Sequence, residues 1–355
     1  MEFAFAADVH LTEYENDRSI EFDGKMLPSK TVSIFECLVE LGQYTRKNVQ
    51  SKTIVLGGDL VDRKTIEYCS SINLWKDFFQ LFSDLNFIII TGNHDVSDRS
   101  NTSYNWINVF SDYKNIQIVD YNEFMAIDNI LFCSYSPKMV DKLREAVEKY
   151  SDCDVLISHF DVQEARLSNN VTNIGKIRFK DLAQKFKLIL LGDYHLPQEL
   201  NINNSKLIYV GSVIQKTWGE ANEEKRFLHC NITKDTYTIK SVPFTKYSKH
   251  IKIIVKNIQE LQEKKKMLEQ EIANGNYARL IFELDSDISK KEIKEIEKQI
   301  QKIDVPVTLV QDSKSESNVE TINIKSSNKD KLVEFLKIQG IENVDDYMNP
   351  IKEFV

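Results

Sequence analysis

The chain has 355 residues, 42% of them hydrophobic and 28% charged, which exceeds one typical domain and supplies a sizeable core. No apolar run approaches the roughly 20 residues of a membrane span, and the N-terminus opens directly into a strand-like segment, so a soluble, cytoplasmic protein is expected. The five cysteines form no CxxC pair, which argues against a disulfide framework or a zinc knuckle; the net charge of -8 argues against an overall basic surface, though not against a local groove of lysines.

Up to about residue 250, short apolar runs alternate with helix-period segments, the pattern of a layered α/β domain. A strand is predicted over Glu2 to Ala7, followed by Asp8-Val9-His10. Ser29 is a candidate cap for a helix with Val32, Phe35, Leu38 and Leu41 on one face. Thr53 to Leu56 leads into Gly58-Asp59-Leu60-Val61-Asp62-Arg63, and a helix from Thr65 to about Phe82 carries Ile72, Trp75, Phe78 and Phe79. The strand Phe87 to Thr91 precedes Gly92-Asn93-His94-Asp95. Ile130 to Cys133 is a further strand, Val155 to Ser158 ends at His159, Leu188 to Leu191 ends at Gly192-Asp193-Tyr194-His195, and Leu207 to Val210 follows. Each motif falls where an apolar strand stops. The C-terminal ends of strands are where open α/β sheets bind ligands, so the motifs can converge on one edge.

Composition shifts after His250. Gln259 to Glu271 reads as an exposed helix, Tyr277 to Leu284 as a strand, Ser289 to Ile303 as an amphipathic helix and Val305 to Val310 as another strand. The expected organisation is an α/β domain over 1-250, a small α+β appendage over 251-312, and a linker with a C-terminal helix over 313-355. That tail holds one short strand, Thr321 to Ile324, and a helix from Lys329 to about Gln339 presenting Leu332, Phe335 and Leu336. The helix is a candidate docking element, or it folds back on its own domain.

The motifs carry oxygen and imidazole donors, which suit a pair of divalent ions. Hydrolysis of a phosphate ester by two metals needs a bridging anion, terminal ligands for each ion, an acidified water and a donor near the leaving oxygen. Asp8 and His10 share a face of an extended segment and can grip one ion together. Asp59, after Gly57-Gly58, is a natural bridge; Asn93 offers an amide oxygen, and His159 and His195 offer imidazole nitrogens. Singly, each has a bland explanation: Gly-Asp-x-x-Asp is often a capped turn, and His159 between Val155 to Ile157 and Phe160 reads as a core histidine. Their joint order after predicted strands decides for a binuclear site.

The order Asp8-x-His10, Gly58-Asp59-x-x-Asp62-Arg63, Gly92-Asn93-His94-Asp95, His159 and Gly192-x-x-His195 resembles the calcineurin-like metallophosphoesterase superfamily. The resemblance implies β-sheets flanked by helices, with Asp8, His10, Asp59 and His195 on one ion and Asp59, Asn93, His159 and Asp193 on the other. His94 matches the position that polarises the phosphate or protonates the leaving group, so His94 and Asp59 are the catalytic expectations. Tyr209-Val210-Gly211-Ser212, then Trp218-Gly219-Glu220 and Arg226-Phe227, is similar to a run in SbcD-type nucleases, including phage recombination endonuclease subunits. Those proteins commonly have Gly-His-x-His where this chain has Gly192-Asp193-Tyr194-His195. A carboxylate there is a harder donor that favours manganese, with magnesium as the alternative; otherwise Asp193 only hydrogen-bonds to a ligand.

What the resemblance implies is a two-metal, manganese-dependent DNA exonuclease/endonuclease. It would be the nuclease subunit of a double-strand-break processing and recombination complex, with an SbcC-like SMC-type ATPase as partner, in a bacterial or phage-infected cytoplasm. The resemblance also implies that 251-312 is a capping, DNA-binding domain, that 313-355 holds a partner-binding helix, and that the chain is a homodimer, with Phe78 and Phe79 as possible contacts. The other readings are a phosphatase or cyclic-nucleotide phosphodiesterase, and a non-catalytic scaffold for the ATPase.

Overall fold

The structure is a computed structural model describing residues 1–14, 17–62, 69–96, 105–166, 176–284, 290–301, 307–311 and 321–323. Residues 1–249 and 250–355 form two compact units.

In the first unit, strand β1 is Glu2–Ala6, a hairpin is made by β2 (Ser19–Phe22) and β3 (Lys25–Pro28), and helix α1 is Ser29–Asn48. Then come β4 (Thr53–Leu56), α2 (Cys69–Leu81), β5 (Asn86–Ile90), β6 (Ile116–Val119), β7 (Phe124–Ile127), β8 (Ile130–Cys133), α3 (Met139–Lys149) and β9 (Val155–His159). The unit closes with α4 (Phe179–Leu182), β10 (Leu188–Gly192), β11 (Gln198–Ile202), β12 (Ser205–Tyr209), β13 (Arg226–Ile232) and β14 (Tyr237–Pro243).

These strands form two six-stranded sheets, ordered β14-β13-β1-β4-β5-β6 and β11-β12-β10-β9-β8-β7. The first is parallel from β1 through β6, with β13 and β14 antiparallel on its other side, and the second has a parallel centre with an antiparallel strand at each edge. Phe3, Phe5, Val55 and Ile88 of the first sheet pack with Phe132, Ile157, Leu190 and Ile208 of the second. The outer face of the first is covered by α1 and α2 through Leu38, Leu41, Trp75 and Phe78, and that of the second by α3 and α4 through Leu143, Ala146 and Phe179. The result is a layered α/β fold with sheets flanked by helices. Burial on both faces is why the central strands read as continuous apolar runs and not as alternating ones.

Several local expectations change. The motifs lie at the ends of strands in two sheets, not along the edge of one. Ser29 is the first residue of α1 and makes no capping bond, because Pro28, at φ -57°, already sets the entry; the backbone N–H of Lys30 donates instead to Asp17 Oδ2 at 2.7 Å. Phe78 and Phe79 are fully buried in the core of this chain, so they are not surface contacts for a second copy. Helix α2 is described over Cys69–Leu81; the expected start at Thr65 falls in residues 63–68, which lie outside the described residues. All five cysteines are free thiols.

The second unit holds β15 (His250–Val255), α5 (Ile258–Ala273), β16 (Tyr277–Leu284), α6 (Lys290–Gln301), β17 (Val307–Gln311) and β18 (Thr321–Asn323), with sheet order β15-β16-β17-β18. Helix α5 is less exposed than its composition suggests. Leu261 and Leu268 are buried with Ile253, Val255, Leu280 and Phe282. The tail helix expected from Lys329 lies outside the described residues. No helix among the described residues is long and apolar enough to cross a membrane.

Candidate metal centre

The loops after β1, β4 and β5 meet those after β9 and β10, and they bring Asp8, His10, Asp59, Asn93, His94, His159, Asp193 and His195 to one place. The backbone there is unusual: Asp8, His10, Asp59 and Asp193 have φ of 52°, 49°, 53° and 96°. Left-handed conformations of non-glycine residues cost on the order of 1 kcal/mol or more and persist only where the surroundings fix them. Here the loops bond to one another. The amide of Asp8 donates to Gly58 O at 3.0 Å and that of His10 to Asp59 O at 2.9 Å. At Gly58, with φ +94°, a Cβ would stand 2.5 Å from His159 Nδ1, so only glycine lets the two sheets close around the centre.

Two imidazoles are hydrogen-bonded through Nδ1, and two face a carboxylate with it. His159 Nδ1 is 2.8 Å from Gly57 O and His94 Nδ1 is 2.5 Å from Asp62 O. A carbonyl can only accept, so both rings carry hydrogen on Nδ1 and present Nε2 inward. His10 Nδ1 lies 3.1 Å from Asp62 Oδ1, off the axis of a good hydrogen bond, and His195 Nδ1 lies 3.7 Å from Glu220 Oε1. An oxygen behind the ring, turning the other nitrogen toward the centre, is how metal-ligating histidines are held.

The inward atoms form two groups. His10 Nε2 and His195 Nε2 are 3.0 Å apart, and Asp8 completes a cluster with them. His159 Nε2 is 3.0 Å from Asn93 Oδ1, 3.4 Å from Asp59 Oδ1 and 3.8 Å from Asp193 Oδ1. Asp59 spans both, since its Oδ2 is 3.7 Å from His10 Nε2 and 4.0 Å from His94 Nε2. Lone pairs and carboxylates so converged repel one another unless a cation lies among them. Nitrogen and oxygen donors in this number fit a pair of divalent ions.

The electrostatics agree. Burial raises Asp59, but His159, His10 and His94 outweigh it and hold the carboxyl well below the usual range. Burial also opposes charge on His159, yet Asp59, Asp8 and Asp193 lift it well above an ordinary imidazole, so this place demands positive charge. His10 is pushed down to about 3 by burial, helped by Lys216, which keeps it a neutral donor. Burial pushes Asp8 up, and it takes Asp193 up to about 7, His159 opposing and Asp59 and Asp8 assisting. The amide of Asp193 donates to Asp8 Oδ1 at 2.9 Å, which fixes one carboxylate against the other loop.

Several residues around the centre have tasks that the sequence did not assign. Asp95 is buried and accepts from the amides of Asp59, Leu60 and Gly92, each at 2.8 Å, and of Val61 at 3.3 Å, stapling the loops after β4 and β5. Asp62 joins His10 to Lys216, whose Nζ is 2.6 Å from Asp62 Oδ1. Lys225, fully buried, lies 2.7 Å from Glu220 and 2.8 Å from Glu223, and donates to His195 O at 2.9 Å. Glu220 and its neighbours had a signal in the Trp218-Gly219-Glu220 run, but nothing in the order of residues says that this acid stands behind His195.

Two sheets closing on a centre of carboxylates and imidazoles offer the donor set that two-metal hydrolysis of a phosphate ester needs. The calcineurin-like phosphoesterase family matches residues 1–199, more than half of the chain, and the chain belongs to that family. It is 23% identical over 255 residues to the SbcD component of the nuclease SbcCD from Staphylococcus epidermidis, covering 64% of this chain and 65% of that one. With the same component from Staphylococcus saprophyticus it is 23% identical over 294 residues, covering 74% of each. The chain thus spans just under two thirds of the first relative's length. Among solved structures, a putative 5'-nucleotidase from Staphylococcus aureus aligns with a TM-score of 0.42 at 11% identity, over 76% of this chain and 58% of that one.

Proposed function

We propose that this metallophosphoesterase is a manganese-dependent DNA exonuclease/endonuclease, the nuclease subunit of a complex with an SbcC-like SMC-type ATPase that processes double-strand breaks during recombination. The observation that carries the two-metal reading is the position of Asp59, with Oδ1 toward His159 and Oδ2 toward His10. Asp8, His10, Asp59 and His195 would hold one ion, and Asp59, Asn93, His159 and Asp193 the other. When bound, the ions would polarise the phosphate and make a nearby water acidic enough to attack.

The rest falls to side chains. His94 is kept in one tautomer by the Asp62 carbonyl, with Nε2 facing Asp59, and in its protonated form it can donate to the leaving oxygen. The amide of His94 donates to Asp59 Oδ1 at 2.8 Å, which ties the acid to the bridging carboxylate. The second group takes carboxylates from Asp59 and Asp193 and an amide oxygen from Asn93, a hard set that favours manganese or magnesium over softer ions. The relatives named above, each a subunit of the nuclease SbcCD, support nuclease activity and an SbcC-like partner; DNA as substrate, the partner's ATPase character and the homodimer rest on the sequence resemblance. The unit from His250 would serve as the cap over DNA, and residues 313–355 as the segment that docks the partner.

The deciding assay is degradation of end-labelled duplex and single-stranded DNA with manganese, with and without an SbcC-like partner. Cleavage abolished by chelation and by Asp59→Ala supports the reading. Hydrolysis of p-nitrophenyl phosphate with no attack on DNA would instead favour a phosphatase.

A further inference from the structure

Behind the two imidazoles of the first group stand two acids, and a lysine is paired with each. Asp62 Oδ1 lies 2.6 Å from Lys216 Nζ and 3.1 Å from His10 Nδ1, so two donors meet at one carboxylate oxygen. The lysine has the shorter contact, and the imidazole reaches the oxygen off the axis of a good hydrogen bond. Glu220, which faces His195, lies 2.7 Å from Lys225. His159 of the second group is backed instead by a neutral carbonyl, that of Gly57 at 2.8 Å. We propose that Lys216 weakens the hold of His10 on its ion and thereby sets the manganese level at which the chain becomes active. The inference rests on the two-metal reading above and adds to it the order in which the two groups fill.

An acid behind a ligating histidine raises the basicity of the ring and strengthens it as a donor. That gain depends on the negative charge being free to act on the imidazole. Lys216 engages the same oxygen and offsets that charge, so His10 keeps its orientation but loses much of the support. The ammonium also stands on the side of the centre where His10 would hold a divalent ion. Like charges in a partly buried place repel with little screening by salt. Both effects act against the first ion.

Lys216 is built into this position. Its side chain is only 14% exposed, its carbonyl accepts from Lys30 Nζ at 2.9 Å, and its amide donates to Glu220 Oε2 at 3.2 Å. One residue therefore touches the acids behind both His10 and His195. The second group, with carboxylates from Asp59 and Asp193 and the amide oxygen of Asn93 around His159, is expected to fill first. The first group fills only as manganese rises, and a hydrolysis that needs both ions starts there.

The test is manganese titration of the whole chain by calorimetry, with hydrolysis of bis(p-nitrophenyl) phosphate followed over the same concentrations. The wild type is expected to show two steps. In Lys216→Met the weaker step should tighten about 10-fold and the tighter one stay, and half-maximal hydrolysis should need about 10-fold less manganese. Lys216→Gln, which can still donate to Asp62 but carries no charge, should tighten the same step. Lys216→Arg keeps the charge and should match the wild type. In His195→Ala, where the second group alone binds, adding Lys216→Met should change nothing. A weaker step that loosens or stays the same in the Met and Gln variants would show that Lys216 only holds Asp62 in place. That result overturns the proposal and leaves the two-metal reading standing. A single step in the wild type overturns both.

Discussion

His10 and His195 face each other through Nε2 at 3.0 Å, while each turns Nδ1 toward a carboxylate, Asp62 at 3.1 Å for the first and Glu220 at 3.7 Å for the second. Two imidazoles held in this way are placed to share one cation. Manganese titration followed by calorimetry is expected to give two ions per chain, and His195→Ala about one. Saturation at 100 times Kd adds about 2.7 kcal/mol, or about 5–10 °C in Tm for a unit of this size. A melting temperature indifferent to manganese and to chelator would count against the centre.

The pair behind His195 should matter nearly as much as the ligand. Lys225 is fully buried with Glu220 and Glu223, so Lys225→Met strands two carboxylates and is expected to cost about 3–5 kcal/mol, read by urea denaturation. Glu220→Gln retains the shape but loses the charge behind the ring. Manganese affinity should fall about 10–100-fold, with a far smaller loss of stability. Equal affinity in Glu220→Gln and wild type would reduce Glu220 to a packing residue.

The core strands and the ligand motifs were legible in sequence because doubly buried strands are continuous apolar runs and each motif interrupts one. Ile130–Cys133 and Thr53–Leu56 appear with the expected bounds. The marginal strands β7, β11 and β14 were not legible: their residues are half exposed and carry no long apolar run. The two-sheet arrangement was hidden for a different reason. A run such as Val155 to Ser158 shows burial on both faces but not which sheet it joins, and the long separation of Glu220 from the residues after β1 and β4 gives no hint of shared space. Ser29 misled because an N-cap residue type stood one place inside a helix whose entry Pro28 had already fixed.

Asp95 illustrates a residue whose motif was visible and whose task was not. It accepts from Asp59, Leu60, Val61 and Gly92, so Asp95→Ala leaves several buried amides without a partner. At about 1–3 kcal/mol for a buried donor left unpaired, a loss of at least about 3 kcal/mol is expected. Asp95→Asn should be milder, since its amide oxygen can keep part of the set. Thermal melts showing all three chains alike would remove the staple.

For His94 the prediction separates chemistry from binding. Its ring is fixed through Asp62 O, and Nε2 stands 4.0 Å from Asp59 Oδ2, so His94→Gln should leave both ion-binding steps intact. On the proposed role of His94 as proton donor, kcat on DNA is expected to fall by about 10²–10⁴-fold. A leaving group that needs no proton, such as p-nitrophenolate, should recover most of that loss. A deficit of the same size on both substrates would show that His94 acts on the phosphate rather than on the leaving oxygen.

Asp193 gives the sharpest test of metal choice. Its Oδ1 is 3.8 Å from His159 Nε2, and its crowded carboxyl, pushed up to about 7 by burial, is a poor anion until a cation arrives. Replacing it with imidazole in Asp193→His removes a hard anionic donor and supplies a borderline nitrogen. Competition between manganese and zinc, followed by the electron paramagnetic resonance of free manganese, should then show the preference moving toward zinc by about 10-fold or more, roughly the 1.4 kcal/mol that one such exchange of ligand supplies. Asp193→Asn, which keeps an oxygen but no charge, should weaken manganese without changing that preference. If both variants bind manganese as the wild type does, Asp193 touches no ion and serves only to hold Asp8 through its backbone amide.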